Sequence, residues 1–408
     1  MEPTVSKISI KKQIRKNQIL RFFRENPLLS PSDIASETQL TLPMASSLTK
    51  ELADEGYIVV AEAQNSKVGR PATLYQLNPE GGYTLGITLG ARKSRMILLN
   101  LREEELDFIE YSTVDLNDTE ATINTLSERI DELVSKNSIP KSKILGVGFA
   151  LSGLVNAKSG KSLTYFKDSP SSLKDLLEER LGIEVALENN VNAVTLGELY
   201  FGKAKSCENV ACIHLDWGIG MGLILNNELY GGHSGLAGEV GHIRVVEDGD
   251  ICSCGKIGCL ETVASGRGLV NKAVRLLQKD HPSILKKKLG NNLESLTLDQ
   301  LLDAVKSGDQ FSLELVEEAG KYIGKSIGIL INLLNLERVI LSGKLSQMGD
   351  AILYPIRSAI MRSSLTEMND DVDIVISDID ERAGCLGATT MISRKVFETV
   401  NVEADMYV

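Results

Sequence analysis

Between Gly235 and Val263 the chain gathers the side chains best suited to chemistry. Cys252, Cys254 and Cys259 are three of its six cysteines, and they follow His242, one of only four histidines. Three thiolates and one imidazole suit a tetrahedral zinc, and four protein ligands leave no open position for water. The spacing therefore predicts a closed, structural Zn2+ site, one per chain. Gly255 and Gly258 let the backbone turn tightly between the last two sulfurs. Three reduced, buried thiols that happen to cluster are the plainer alternative. A second polar group, Glu188-Asn189-Asn190, stands where a strand gives way to a helix, a place where α/β folds bind ligands.

The rest of the chain must position these residues. It has 408 residues, 43% hydrophobic, 24% charged and 5% aromatic, with a formal net charge of −11. This length implies two or three domains. No run of about 18 apolar residues suggests a membrane span, and the N-terminus does not read as a secretion signal. Cysteines matched to a metal pattern, rather than spread as pairs, fit a reducing cytoplasm.

An acidic body argues against nonspecific nucleic-acid binding, but the charge is unevenly placed. Residues 1–30 hold seven Lys or Arg against two Glu, the pattern of a small nucleic-acid-binding head. Apolar spacing predicts a helix over 8–25, ended by Asn26-Pro27. Ser30-Pro31-Ser32-Asp33 caps a second helix and Thr41 a third, which Gly56 closes. Strands near 57–62 and 73–77 complete a winged helix-turn-helix over residues 1–80. Met44, Ser46, Ser47 and Lys50 of the third helix would face a major groove of operator DNA. Gly69-Arg70-Pro71 at the wing tip would place an arginine in a minor groove, unless it is a plain surface turn. Glu51, Asp54 and Glu55 oppose Lys50, so phosphate anchoring falls mainly to the first helix and the wing. A winged helix can also serve as a protein–protein module.

Asn78-Pro79-Glu80-Gly81-Gly82 reads as a hinge. A first α/β lobe is expected over 81–200, joined by a C-terminal helix at 384–408, and a second over 201–383. Each runs strands, then helices.

The central stretch carries a resemblance. Glu239-x-Gly241-His242, followed by Cys252-x-Cys254-Gly255-x-x-Gly258-Cys259-Leu260-Glu261, resembles the ROK family of repressors, uncharacterised reading frames and sugar kinases. The resemblance runs from about residue 81 to near 395, with a DNA-binding segment ahead of it as in the family's repressors, those for N-acetylglucosamine and xylose among them. It implies a two-lobed actin-like fold, ribonuclease H-like and duplicated, with a sugar in the cleft. It also implies zinc on His242, Cys252, Cys254 and Cys259, and sugar contacts at Gly153, Asn189, Asn190, Glu239, His242 and Glu261.

The parts that serve phosphoryl transfer depart from the family's kinases. Their base is an aspartate where this chain has Asn190, whose amide cannot take a proton at neutral pH. Their first phosphate loop resembles Asp-x-Gly-Gly-Thr-Lys, and here reads Thr88-Leu89-Gly90-Ala91-Arg92-Lys93. Their second resembles Gly-Thr-Gly-Ile-Gly-Gly-Gly, and here Asp216-Trp217 adds charge and bulk. Ser342-Gly343-Lys344 is short of glycine for an adenine site, and Leu154 stands where a sugar kinase can carry a polar residue. The expectation is a non-catalytic, sugar-responsive regulator, most simply a repressor. It would bind operator DNA as a homodimer or larger homo-oligomer. An active sugar kinase with an appended DNA-binding head, or a ligand-free scaffold, are the alternatives.

Overall fold

In a computed structural model of the chain, the described residues are 7–61, 73–90, 93–113, 115–166 and 171–397. The head begins with α1 (Lys7–Glu25), α2 (Pro31–Thr38) and α3 (Leu42–Asp54), then the strands β1 (Ile58–Val60) and β2 (Tyr75–Leu77). Ser30 caps α2 by a reciprocal pair: its Oγ accepts from the Asp33 amide at 3.2 Å, and its own amide donates to Asp33 Oδ2 at 2.8 Å. Pro31 occupies the first turn, where a missing N–H costs nothing. Thr41 takes the cap position of α3 without a side-chain bond. Ile19 and Phe23 of α1, Ile34 of α2, Leu48 and Leu52 of α3, and Ile58 and Leu77 of the ribbon form one buried cluster. Gly69, Arg70 and Pro71 lie outside the described residues.

The ends of the expected hinge are tied down instead. Pro79–Gly81 is a single 3-10 turn, and Asn78 Nδ2 donates to the Gly56 carbonyl at 2.8 Å. A Cβ on Gly81 would sit 2.8 Å from that same carbonyl oxygen, and one on Gly82 would sit 2.6 Å from a Leu145 methyl. These glycines serve close packing, not freedom. Leu101 and Phe397 join the buried cluster of the head, and Leu145 packs against it.

The first α/β lobe contains β3 (Tyr83–Leu89), β4 (Lys93–Asn100), β5 (Glu105–Ser112), α4 (Thr119–Lys136), β6 (Ile144–Leu151), the short pair β7 (Val155–Asn156) and β8 (Lys161–Ser162), α5 (Leu173–Leu181) and β9 (Val185–Asn189). Its sheet order is β5-β4-β3-β6-β9. β3 pairs antiparallel with β4 and parallel with β6. Leu85, Ile87 and Phe149 of the sheet meet Leu126, Ile130 and Leu133, the apolar stripe of α4.

The second lobe contains α6 (Asn190–Phe201), β10 (Val210–Leu215), β11 (Ile219–Leu225), β12 (Glu228–Leu229), α7 (Leu260–Ala264), α8 (Gly266–Leu277), α9 (Ile284–Leu289), α10 (Leu298–Lys306), α11 (Gln310–Leu334), β13 (Arg338–Ser342), α12 (Asp350–Ser363), α13 (Thr366–Asp371) and β14 (Asp373–Ile376); α14 (Ala383–Phe397) follows. Its sheet order is β12-β11-β10-β13-β14. Counted within its own lobe, each sheet therefore runs third, second, first, fourth, fifth strand. That is the duplicated, actin-like plan. The chain divides into two compact units, one of residues 1–188 with 388–408, the other of 189–387. Among the described residues no helix is long and apolar enough to cross a membrane.

Candidate functional site

The second unit builds the polar group on one edge of its sheet. β11 returns antiparallel beside β10, and the backbone at Gly238 (φ +96°) comes close beneath Met221, whose amide donates to the Gly238 carbonyl at 3.0 Å. A 3-10 turn, Val240–His242, follows directly on Glu239. From His242 the chain runs out and back as a knuckle. Val245 N and Val246 N both donate to the Gly258 carbonyl, at 2.8 and 3.2 Å, and Cys252 N donates to Lys256 O at 2.7 Å. Cys259 then ends the knuckle at the first residue before α7.

This folding puts one ligand atom from each of His242, Cys252, Cys254 and Cys259 within 4.8 Å of all the others. The edges can be tested against a metal. Zinc–sulfur arms of about 2.3 Å and zinc–nitrogen arms of about 2.0–2.1 Å, set tetrahedrally, require S–S edges of about 3.8 Å and S–N edges of about 3.5 Å. Cys254 Sγ lies 3.7 Å from Cys259 Sγ, and Cys252 Sγ lies 3.5 Å from His242 Nδ1. The donor set fits the ion. Burial pushes the Cys259 thiol up to about 12, and its neighbouring cysteines push the same way. The exposed Cys254 is held below its ordinary value, chiefly by its hydrogen bond with the Lys256 backbone. A bound cation would override the first tendency and reinforce the second.

Gly258 has φ +72°, and a Cβ there would lie 1.8 Å from the Val246 carbonyl oxygen. Gly258→Ala is therefore expected to push the two strands of the knuckle apart and to lower metal affinity. Competition against a chromogenic chelator would read the loss as at least about tenfold, the scale on which disturbed outer-shell partners act.

The imidazole has a second face. Its Nε2 is 3.7 Å from Glu239 Oε2. Burial raises the Glu239 pKa; His242 pulls it back and Glu261 pushes it further up. Glu261, in the first turn of α7, accepts from the Ile219 amide at 3.3 Å and from Arg267 Nη2 at 2.6 Å. Glu239, His242 and Glu261 thus meet around the knuckle. Asn189 and Asn190 stand at the start of α6 in the same unit. Asn189 Oδ1 caps that helix, accepting from Val191 N at 2.7 Å and Asn192 N at 3.3 Å, so this side chain has a structural duty. Asn190 is half-buried at the first helical position. Gly153, at φ +86° against Thr164, belongs to the other unit. Arg267 went unnoticed in the sequence; a basic residue six positions beyond Glu261 was the available signal.

In the head, Met44, Ser46, Ser47 and Lys50 all lie on the exposed face of α3. Its acidic side is neutralised from α1: Lys12 and Lys16 reach Glu51, each at 2.8 Å, and Lys16 also reaches Glu55 at 2.5 Å. These hydrogen bonds hold the Glu51 carboxyl below its ordinary range. The same pairs engage two cations expected to serve phosphate anchoring.

Comparison with known proteins shows what the whole chain is similar to. The model of the ROK family matches residues 84–395, and one described as winged helix-turn-helix DNA-binding matches residues 14–59. A xylose repressor from Caldicellulosiruptor bescii is 31% identical over 385 residues, covering 93% of this chain and 96% of that protein. A crystal structure of a ROK family transcriptional regulator, a homolog of the E. coli MLC protein, superposes with TM-score 0.81 at 27% identity, over 95% of this chain and 97% of that one. A ROK family glucokinase from Streptomyces griseus, solved with glucose and AMPPNP, gives TM-score 0.66 at 29% identity, over 76% of this chain and 99% of the enzyme. The chain belongs to the ROK family.

Proposed function

We propose that this protein is a sugar-responsive, DNA-binding transcriptional regulator, a repressor acting as a homodimer, with one structural Zn2+ per chain held by His242, Cys252, Cys254 and Cys259. The observation that supports the reading is the meeting of Glu239, His242 and Glu261 in a chain whose Asp216-Trp217 loop is engaged with itself. Nε2 of His242 and Oε2 of Glu239 are 3.7 Å apart, too far to bond directly. One sugar hydroxyl between them would accept from the imidazole N–H and donate to the carboxylate. When bound, the zinc ion supplies the charge that keeps three thiols ionised, and with Nδ1 ligated, Nε2 carries the proton.

The loop that would cradle a nucleotide is engaged with itself. Asp216 Oδ1 accepts from the Trp217 amide at 2.6 Å. The first amides of α8, at Gly266 and Arg267, donate to the carbonyls of Asp216 and Trp217 at 2.8 and 3.2 Å. Those N–H groups are not directed at a phosphate, and a carboxylate stands beside them. With an amide at position 190 in place of a base, phosphoryl transfer lacks both its proton acceptor and its anion cradle.

The head reads operator DNA through α3. Its exposed Met44, Ser46, Ser47 and Lys50 are the base-facing set, and Arg70, read from the sequence alone, is the proposed minor-groove contact. Two copies give the spacing of half-sites about one helical turn apart.

Glu239→Ala is expected to weaken sugar binding by about 10- to 100-fold, the worth of a hydrogen bond to a charged group, while leaving operator affinity without sugar unchanged. Calorimetry with D-xylose, D-glucose and N-acetyl-D-glucosamine, beside gel shifts with the DNA upstream of its own gene across salt concentrations, checks both. A shift independent of salt would remove DNA recognition. Turnover of ATP with any of these sugars would replace the regulator with a kinase.

A further inference from the structure

Glu261 is not free to choose its own orientation, and the residue that chooses for it lies on a different helix. Arg267, in the first turn of α8, reaches back six residues. Its Nη2 donates to Glu261 Oε1 at 2.6 Å and to Ser253 Oγ at 3.3 Å. Ser253 is the residue between Cys252 and Cys254, so one guanidinium touches both the metal knuckle and the carboxylate. Glu261 is well covered, its side chain 12% exposed. Its other oxygen accepts from the Ile219 amide, and a Cβ at Gly218 would meet that oxygen at 2.8 Å, so a larger residue there would displace the carboxylate. Two turns further along α8, Arg275 takes Asp250 at the base of the knuckle in a two-pronged ion pair, at 2.8 and 2.7 Å. The helix thus clasps the knuckle twice, and only the first clasp includes Glu261.

We infer that Arg267 is a positioning residue for sugar recognition: it orients Glu261 and ties that carboxylate to the metal knuckle through Ser253. This rests on the proposed sugar site and adds to it the element that sets its geometry. The chemistry favours guanidinium over ammonium. The two N–H groups of Nη2 are fixed in the guanidinium plane, so this one nitrogen holds a carboxylate oxygen and a hydroxyl in set directions, whereas a lysine of the same reach supplies a freely rotating point charge. A carboxylate without this partner would lose its fixed rotamer, and binding would then include the entropy of ordering it. The backbone amide of residue 267, which bonds to the Trp217 carbonyl, is untouched by side-chain replacement, so the fold of the turn has an independent reporter. Trp217 is the only tryptophan in the chain.

The test uses the full-length protein with zinc bound and calorimetric titration of D-xylose, D-glucose and N-acetyl-D-glucosamine. Arg267→Gln should weaken whichever sugar the wild type binds by about tenfold, with unchanged zinc content and unchanged tryptophan emission in the sugar-free protein. Arg267→Lys should recover part of the loss. Glu261→Gln should weaken binding as well, and the double variant Arg267→Gln/Glu261→Gln should be no weaker than Glu261→Gln alone, because the arginine acts through that carboxylate. Wild-type affinity in Arg267→Gln, or losses that simply add in the double variant, would overturn the inference while leaving the sugar site standing. A wild-type protein that binds none of the three sugars would remove this inference together with the proposed sugar site.

Discussion

Cys259→Ser is expected to bring zinc content from about one ion per chain to none and to lower the thermal midpoint of the protein. Cys259 is fully buried, and it closes the knuckle at the head of α7. A serine oxygen there is a poorer ligand and leaves a polar group where a sulfur was covered. For zinc-finger peptides the metal contributes the whole of folding. Here it would hold one loop of a unit that has its own core of β10, β11 and the helices α8, α10 and α11. The loss should therefore be a few kcal/mol, which for a unit near 200 residues moves the midpoint by about 6–12 °C. Cys254→Ser is the cleaner companion, because Cys254 is exposed and its replacement disturbs little packing. It too should empty the site. Metal analysis and thermal denaturation of both variants separate the ion from the packing. Zinc retained at one per chain in both would mean that the ion is held elsewhere and that these thiols are not its ligands.

Much of this was legible in the sequence because the signals were local. α1 spans Lys7–Glu25, the helix that apolar spacing predicts over 8–25 and Asn26-Pro27 ends. Ser30 and Gly56 mark the cap of α2 and the end of α3 as read. The cysteine spacing foretold a four-ligand cluster because turn geometry at Gly255 and Gly258 is decided within a few residues. What escaped depends on distant partners. Asn78–Gly82 looks like a hinge by composition, yet Gly81 and Gly82 are small to admit the Gly56 carbonyl and Leu145. No pattern within five residues can reveal that. The basic face of α1 looked available for phosphates; its Lys12 and Lys16 instead answer Glu51 and Glu55 of α3. Arg267 gave only a faint sign, its place six positions beyond Glu261, because its other partner, Ser253, lies on the knuckle. The short helices α9 and α13 carry too few turns for an apolar period to register.

The packed junction of head and first lobe leads to the other large effect. If the head swung on a tether, sugar binding would have little purchase on it. Instead, Leu101, at the turn after β4, is 4% exposed within the head's own cluster alongside Phe397 of α14. Arg24 of α1 pairs with Glu103 of the same turn, and Arg102 Nε donates to the Leu77 carbonyl at 2.8 Å. Head and lobe thus share buried apolar surface and charged contacts within one compact unit. Leu101→Ala removes a buried side chain at a local cost of about 2–5 kcal/mol, and with Arg24→Ala it should loosen the junction while every residue of α3 is kept. Operator affinity in the absence of sugar should stay within about threefold of wild type, since α3 and its exposed face are unchanged. The effect of sugar on that affinity should fall from the 5- to 150-fold typical of a coupling free energy of about 1–3 kcal/mol to nearly none. Fluorescence anisotropy of labelled operator DNA, with and without saturating sugar, gives both numbers from one titration. Coupling that survives in the double variant would mean that the junction is not what carries the response, and that the sugar acts on operator binding by changing how two copies associate.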